Sequence, residues 1–166
     1  YDDNEGWQDL GHKIVTQDKL FSFSLSSDGY TVAIISLSSP SYNRKLQVYK
    51  YRTVSQDEWD GAYIIATSSQ THVAEGIGIR GGDSLVSGQQ YWIKIGSDID
   101  LNMTNETLRT SVSLNYDGTI LALGKPDGVS IYTFTDSDWV QKGSVIHNGD
   151  NGEYSVSLSK DGNKLA

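Results

Sequence analysis

Serine alternates with an apolar residue and then gives way to an Asp-Gly pair at three places in the chain. Ser22–Gly29 reads S-F-S-L-S-S-D-G, Ser111–Gly118 reads S-V-S-L-N-Y-D-G and Ser155–Gly162 reads S-V-S-L-S-K-D-G. An alternation of period two puts the polar and apolar side chains on opposite faces of an extended strand. Asp-Gly supplies the positive-φ chemistry of a tight reversal. The apolar runs that follow, Tyr30–Ile35, Ile120–Leu123 and the Lys164–Ala166 stretch, are the returning strands. Each copy is a predicted β-hairpin. Gly76–Asp83, G-I-G-I-R-G-G-D, is a degenerate fourth copy with glycine in the serine columns.

The hairpins recur at a period. They start at Ser22, Gly76, Ser111 and Ser155, in steps of 54, 35 and 44 residues. The four tryptophans, Trp7, Trp59, Trp92 and Trp139, recur in steps of 52, 33 and 47, one ahead of each hairpin. Glycine and then isoleucine follow them: Gly11 and Ile14, Gly61 and Ile64, Gly96 and Ile99, Gly143 and Ile146. Third strands are expected at Leu46–Tyr51 and Val129–Phe134, and outer strands at Leu10–Val15 and around Ala62–Ala66. A repeat of about 44 residues holding about four short antiparallel strands has the period of a β-propeller blade. The expected fold is thus all-β, a β-propeller-type repeat of about four blades in a single domain over 1–166, with units around 7–58, 59–91, 92–138 and 139–166. The second blade is shortened: either Gln90–Ile95 does the work of two strands, or that blade has three. The fourth is incomplete. Ala166 aligns with Ala122 and Tyr1 with Thr133, so a four-unit ring would lack the equivalent of Leu123–Tyr132. Two readings follow: the chain belongs to a longer array, or its open blade edge is completed by another molecule.

Composition narrows the function more than the fold. Two prolines, 17 glycines and the absence of any segment with helical periodicity fit an all-β chain of 166 residues, long enough for one real core. The net charge of −8 is scattered rather than clustered, which disfavours nucleic acid and anionic membranes as partners. No apolar run approaches the roughly 18 residues of a membrane span. There is no cysteine, hence no disulfide, thiol nucleophile or Cys-based metal site. The chain starts at Tyr1 without Met or a signal-like segment, as a processed product or a portion of something longer would.

Candidate chemistry is sparse. Asp28-Gly29, Asp117-Gly118 and Asp161-Gly162 are turns, because calcium needs six to eight oxygens and one Asp before a Gly supplies too few. The nearest approach to a calcium loop is Asn148-Gly-Asp150-Asn-Gly-Glu153, whose alternate oxygens could converge, against the plainer reading of a Gly/Asn-rich loop. Asp98 and Asp100 are a weaker version. His12, His72 and His147 fall at different repeat positions, with no metal-ligand spacing among them. No Gly-x-Ser-x-Gly elbow is present. Asp57-Glu58, as adjacent acids, point apart and cannot flank a glycosidic bond. No catalytic residue is assigned and no cofactor is expected. Tryptophans locked to the repeat period read as blade-packing residues rather than sugar platforms. Asn102-Met-Thr104 and Asn105-Glu-Thr107 are glycosylation sequons in the longest polar stretch, 98–109, and Ser36–Ser41 could carry O-linked sugar.

Taken together, W-x-x-x-G-x-x-I in Trp139–Ile146, S-V-S-L-S-x-D-G-x-x-L-A in Ser155–Ala166 and the strand Leu46–Tyr49 resemble the tandem propeller repeats of secreted bacterial and protist proteins. These are distantly similar to the FG-GAP repeats of integrin α-chains. The resemblance covers nearly the whole chain and lies in strand and turn motifs. It departs in two ways: the Phe-Gly pair before each hairpin is absent, with Leu20, Glu75, Thr110 and Tyr154 in that region, and so is the calcium ladder D-x-N-x-D-G. The resemblance implies an extracellular structural or adhesive module. With the sequons, the open blade edge and the lack of a catalytic constellation, the expectation is a non-catalytic, glycosylated module at the cell surface that self-associates or packs on neighbouring repeats, or a subunit of a filament. The alternative is a soluble propeller that recognises a glycan or a protein ligand.

Overall fold

A computed structural model describes residues 10, 14, 19–38, 43–54, 90–103, 108–147 and 153–166. Among them are nine strands and no helix: β1 (Leu20–Leu25), β2 (Thr31–Ser38), β3 (Asn43–Thr53), β4 (Gln90–Lys94), β5 (Ile99–Asp100), β6 (Ser111–Leu114), β7 (Ile120–Lys125), β8 (Gly128–Thr135) and β9 (Asp138–Gln141). The pairings β1–β2, β2–β3, β3–β5, β6–β7, β7–β8 and β8–β9 are all antiparallel. One sheet has the order β1-β2-β3-β4, with β5 also on β3, and the other the order β6-β7-β8-β9. The all-β, antiparallel expectation holds.

The chain divides into two compact units. The larger comprises 16–50 and 95–166, the smaller 1–15 and 51–94. In the larger, alternate residues of each strand point one way and meet. Ala33 and Ile35 of β2, Leu46 and Val48 of β3, Val112 and Leu114 of β6, and Leu121 and Leu123 of β7 form one buried cluster with Leu101 and Trp139. Each Val, Leu or Ile side chain among them contributes about 1.5–3 kcal/mol by leaving water. The smaller unit has its own buried group, Val54, Tyr91 and Ile93.

The two hairpins β1–β2 and β6–β7 are congruent. Ser24 faces Ala33 and Leu25 faces Val32 in the first, as Ser113 faces Ala122 and Leu114 faces Leu121 in the second. The step between matched positions is 89 residues, the distance from Ser22 to Ser111. A third hairpin follows at 155–166, where Ser157 and Ala166 exchange two backbone hydrogen bonds and Ser159 N–H donates to Lys164 O.

Two expectations are revised. The polar loop expected over Ser36–Arg44 is shorter, because β2 continues to Ser38 and β3 begins at Asn43, pairing Ser36 with Lys45 and Leu37 with Arg44. Arg44 is fully buried, its guanidinium 3.7 Å from the ring centroid of Phe21, an arrangement that offsets the cost of burying the cation. Of the two alternatives for the second repeat, the one in which Gln90–Ile95 does the work of two strands falls, because Gln90–Lys94 is one strand, next to β3 in the sheet order. The Ala62–Ala66 strand and the Gly76–Asp83 copy lie outside the described residues.

Candidate functional site

The Asp-Gly turns are built alike. In each, the glycine N–H donates three residues back, Gly29 to Ser26 O, Gly118 to Asn115 O and Gly162 to Ser159 O. The aspartate Oδ1 accepts the N–H two residues on: Tyr30 to Asp28 at 3.0 Å, Thr119 to Asp117 at 3.1 Å and Asn163 to Asp161 at 3.1 Å. The residue two before the aspartate accepts across the turn, as Thr31 N–H donates to Ser26 Oγ, Ile120 N–H to Asn115 Oδ1 and Lys164 N–H to Ser159 Oγ, each at 2.9 Å. Each glycine has φ between 70° and 79°, where a side chain would be strained. The sequence identified these positions as turns, and the geometry gives each aspartate its acceptor role. The hydroxyl of Thr119 holds the Asp117 carboxyl below its ordinary pKa, and that of Ser159 does the same for Asp161.

The serine columns have a second role that alternation alone did not reveal. Leu114 N–H donates to Ser24 Oγ at 3.0 Å, and Leu158 N–H donates to Ser113 Oγ at 2.9 Å. Val156 N–H likewise donates to Ser111 Oγ at 3.1 Å. The hydroxyls of one hairpin therefore satisfy backbone amides of the next, so the three hairpins stand side by side in the order 22, 111, 155. The turns stack in the same sense. Tyr116 O accepts from Asp28 N–H, and Tyr116 N–H donates to Lys160 O, both at 3.0 Å. A Cβ added to Gly118 would lie 2.3 Å from the Cβ of buried Thr31, and one on Gly162 would lie 2.7 Å from Ile120 Cδ1. Thr31 and Ile120 are the same column of successive hairpins; at Gly118 glycine is required by contact as well as by φ, while at Gly162 the near atom is the flexible end of Ile120 and φ is the stronger requirement. Serine in the same column of all three copies was the available signal: a merely solvated face has no need to keep one residue type.

Tryptophan and glycine make a third link. Trp139 Nε1–H donates to Ile95 O at 3.1 Å, and Trp92 Nε1–H donates to Leu10 O at 2.9 Å. Both acceptors immediately precede the glycine of a W-x-x-x-G motif, Gly96 and Gly11. In the larger unit Gly96 has φ 71°, and a Cβ there would lie 2.8 Å from Trp139 Cδ1. Phe134 packs on Trp139 at 5.2 Å between centroids, and in the smaller unit Tyr51 packs on Trp92 at 5.4 Å. Asp138 closes the first of these contacts, accepting from Ser97 N–H at 2.7 Å and Ser97 Oγ–H at 3.2 Å. The Ser97 amide in turn holds the Asp138 carboxyl below its ordinary pKa. Trp7 and Trp59 lie outside the described residues.

Among the described residues the remaining candidates do not converge. Glu153 accepts from Arg109 N–H and pairs with its guanidinium at 3.4 Å, a surface contact, while Asn148 and Asp150 lie outside the described residues. Asp98 accepts from Gln47 Nε2 at 3.2 Å and Lys45 Nζ at 3.5 Å, and Asp100 accepts from Asn102 N–H at 2.8 Å and from Asn43 Nδ2, so protein donors take these carboxylates. Among the described residues no group of three His, Cys, Asp or Glu side chains could hold a metal. Asn102 is exposed at φ 52°, and Asn105 lies outside the described residues. His12, His72, Asp57 and Glu58 also lie outside them. No described helix is long and apolar enough to cross a membrane. Among known proteins, no family model and no curated protein matches the chain.

Proposed function

We propose that this chain is a non-catalytic, β-propeller-type repeat module that serves an extracellular structural or adhesive role and carries sugar on the Asn102–Thr107 loop. The observation that carries this reading is the use made of the recurring polar residues. Serines 24, 111 and 113 accept amides of the following hairpin, the aspartates of the Asp-Gly pairs close their own turns, and Trp139 Nε1–H reaches a neighbouring carbonyl. The serine and tryptophan contacts join one unit to the next, as in repeat proteins whose stability is the sum of unit and interface contributions. Propeller blades stack their innermost strands around an axis, and the side-by-side series β1, β6 and 155–158 is consistent with that arrangement. The extracellular part of the reading rests on the paired sequons and on the exposure of Asn102.

The test is peptide mapping of the protein from its native source. Glycan on Asn102 or Asn105, removed by glycosidase with conversion of that Asn to Asp, is the expected result. Unmodified Asn102 and Asn105 in the native protein would sink the glycosylated, extracellular reading.

A further inference from the structure

Five Asp-Gly pairs stand in the sequence, at Asp28, Asp60, Asp117, Asp127 and Asp161. Asp60 lies outside the described residues, and Asp28, Asp117 and Asp161 close the hairpin turns. In those three the carboxyl is tied twice at Oδ1. One bond comes from the N–H two residues on. The other comes from a hydroxyl: Ser26 Oγ–H donates to Asp28 at 2.5 Å, Thr119 Oγ1–H to Asp117 at 2.6 Å and Ser159 Oγ–H to Asp161 at 2.6 Å. Asp127 is held differently. It lies in the turn that joins β7 to β8, where Lys125 pairs with Gly128, and the N–H two residues on, that of Val129, donates to Ile146 O at 2.9 Å instead. Among the described residues the Asp127 carboxylate is bound by Lys125 Nζ alone, at 3.2 Å to Oδ2, and its side chain is 64% exposed. The glycine is fixed by the fold: at φ 130° a Cβ on Gly128 would lie 2.6 Å from Ile146 O.

In an Asp-Gly pair the glycine nitrogen can attack the aspartyl Cγ, because no side chain on the glycine hinders the approach. The N–Cγ bond forms, the amide hydrogen and a carboxyl oxygen leave in a molecule of water, and a five-membered succinimide closes. Water then adds to either ring carbonyl and breaks its bond to nitrogen, giving aspartate again or isoaspartate, whose main chain runs through Cβ. No other reactant is consumed. The reaction needs Cγ swung against the glycine nitrogen, a movement that two bonds to Oδ1 oppose at Asp28, Asp117 and Asp161. An ion pair on an exposed carboxylate opposes it little, since such a pair is worth at most about 1 kcal/mol. We propose that Asp127-Gly128 is a site of spontaneous isoaspartate formation in the folded protein, while the three hairpin aspartates are shielded by their turns. The extra main-chain carbon falls in the turn between β7 and β8, next to the hydrogen bonds that Val129 and Ile146 exchange. This modification is independent of the extracellular reading given above.

The test is incubation of the folded 166-residue chain at neutral pH in water enriched in the heavy oxygen isotope, followed by peptide mapping of the Asp-Gly sites. Hydrolysis of a succinimide leaves one heavy oxygen on that residue, whichever isomer forms. At Asp127 the label is expected to appear at least about tenfold faster than at Asp28, Asp117 or Asp161, because opening of the turn limits those three. In denaturant, where every turn is open, the four rates are expected to agree within about threefold, since glycine follows in all. Lys125→Ala removes the pair with Asp127 and is expected to speed labelling there by about 1.5- to 5-fold. Ser159→Ala removes the hydroxyl donor to Asp161 and is expected to speed labelling there by about 2- to 10-fold, with Asp127 unchanged. Label at Asp127 no faster than at the other three in the folded chain would overturn the inference. So would an equal advantage for Asp127 in denaturant, which would trace the preference to neighbouring residues in the sequence rather than to the fold.

Discussion

The first and second Asp-Gly hairpins have the same strand register, the same glycine φ region and the same cross-turn hydrogen bonds, yet they occupy different surroundings. A Cβ on Gly29 would meet nothing within 4 Å, whereas one on Gly118 would run into Thr31. Phe23 and Leu25 are exposed where Val112 and Leu114 are buried. Local chemistry therefore builds the hairpin unaided, and the neighbouring unit decides what the hairpin is worth. Sequence identity within a repeat does not confer equal energy, because burial belongs to the pair of units rather than to either one.

That comparison can be broken most severely at its deepest point. Trp139→Ala removes a buried ring and its bond to Ile95 O, and a loss of about 3–5 kcal/mol is expected in urea unfolding. A loss within experimental error would show that the tryptophan column does not hold the second sheet. Glycine gives a cleaner contrast. Gly29→Ala and Gly118→Ala incur similar backbone strain, of order 1–2 kcal/mol, so their difference isolates the contact with Thr31. Gly118→Ala should be the worse by about 1–3 kcal/mol, the range for overpacking a filled site. Equal effects would mean that the turns do not stack.

The serine ladder predicts a smaller asymmetry. Ser113→Ala strands the Leu158 amide and should cost about 1 kcal/mol, while Ser157→Ala should fall within about 0.5 kcal/mol of wild type. Calorimetry of the two variants would decide it, and reversed ranks would sink the ladder. The smallest expected effect is on pH. Asp117, Asp138 and Asp161 are held below the ordinary aspartate value of 3.8, so their contribution is complete above that value and disappears as pH falls through the lower folded values. Melting temperature should therefore fall in acid below about pH 4. Asp117→Asn with Asp161→Asn should flatten that fall, and an unchanged slope would exclude the turns as its source.

Much of the fold was legible in the letters. Ser-x-Ser-x before Asp-Gly marked three hairpins at their observed turns, because period-two alternation and Asp-Gly are local and need no neighbour. The links between hairpins were not legible as bonds. Ser24 and Ser113 read as the polar face of a strand, and only the approach of the next strand makes each hydroxyl an acceptor. Spacing misled at one point. The Ser22 and Ser111 hairpins touch although 89 residues separate their starts, about twice the expected period, so an average step near 44 did not identify which copies are neighbours. Arg44 was hidden for a related reason: a cation next to a polar loop reads as solvated until Phe21 is seen to cover it.

By itself, the sequence determined strand class, hairpin turns and the recurrence of Trp and Gly, because each depends on propensities and reversals acting over a few residues. Only the tertiary structure decided that β4 is the strand next to β3, that serine hydroxyls cap foreign amides and that Phe23 stays exposed while Val112 does not. Those outcomes depend on contacts between residues far apart in the chain, where closing the intervening loop is offset by burial and by hydrogen bonds that a single repeat cannot make.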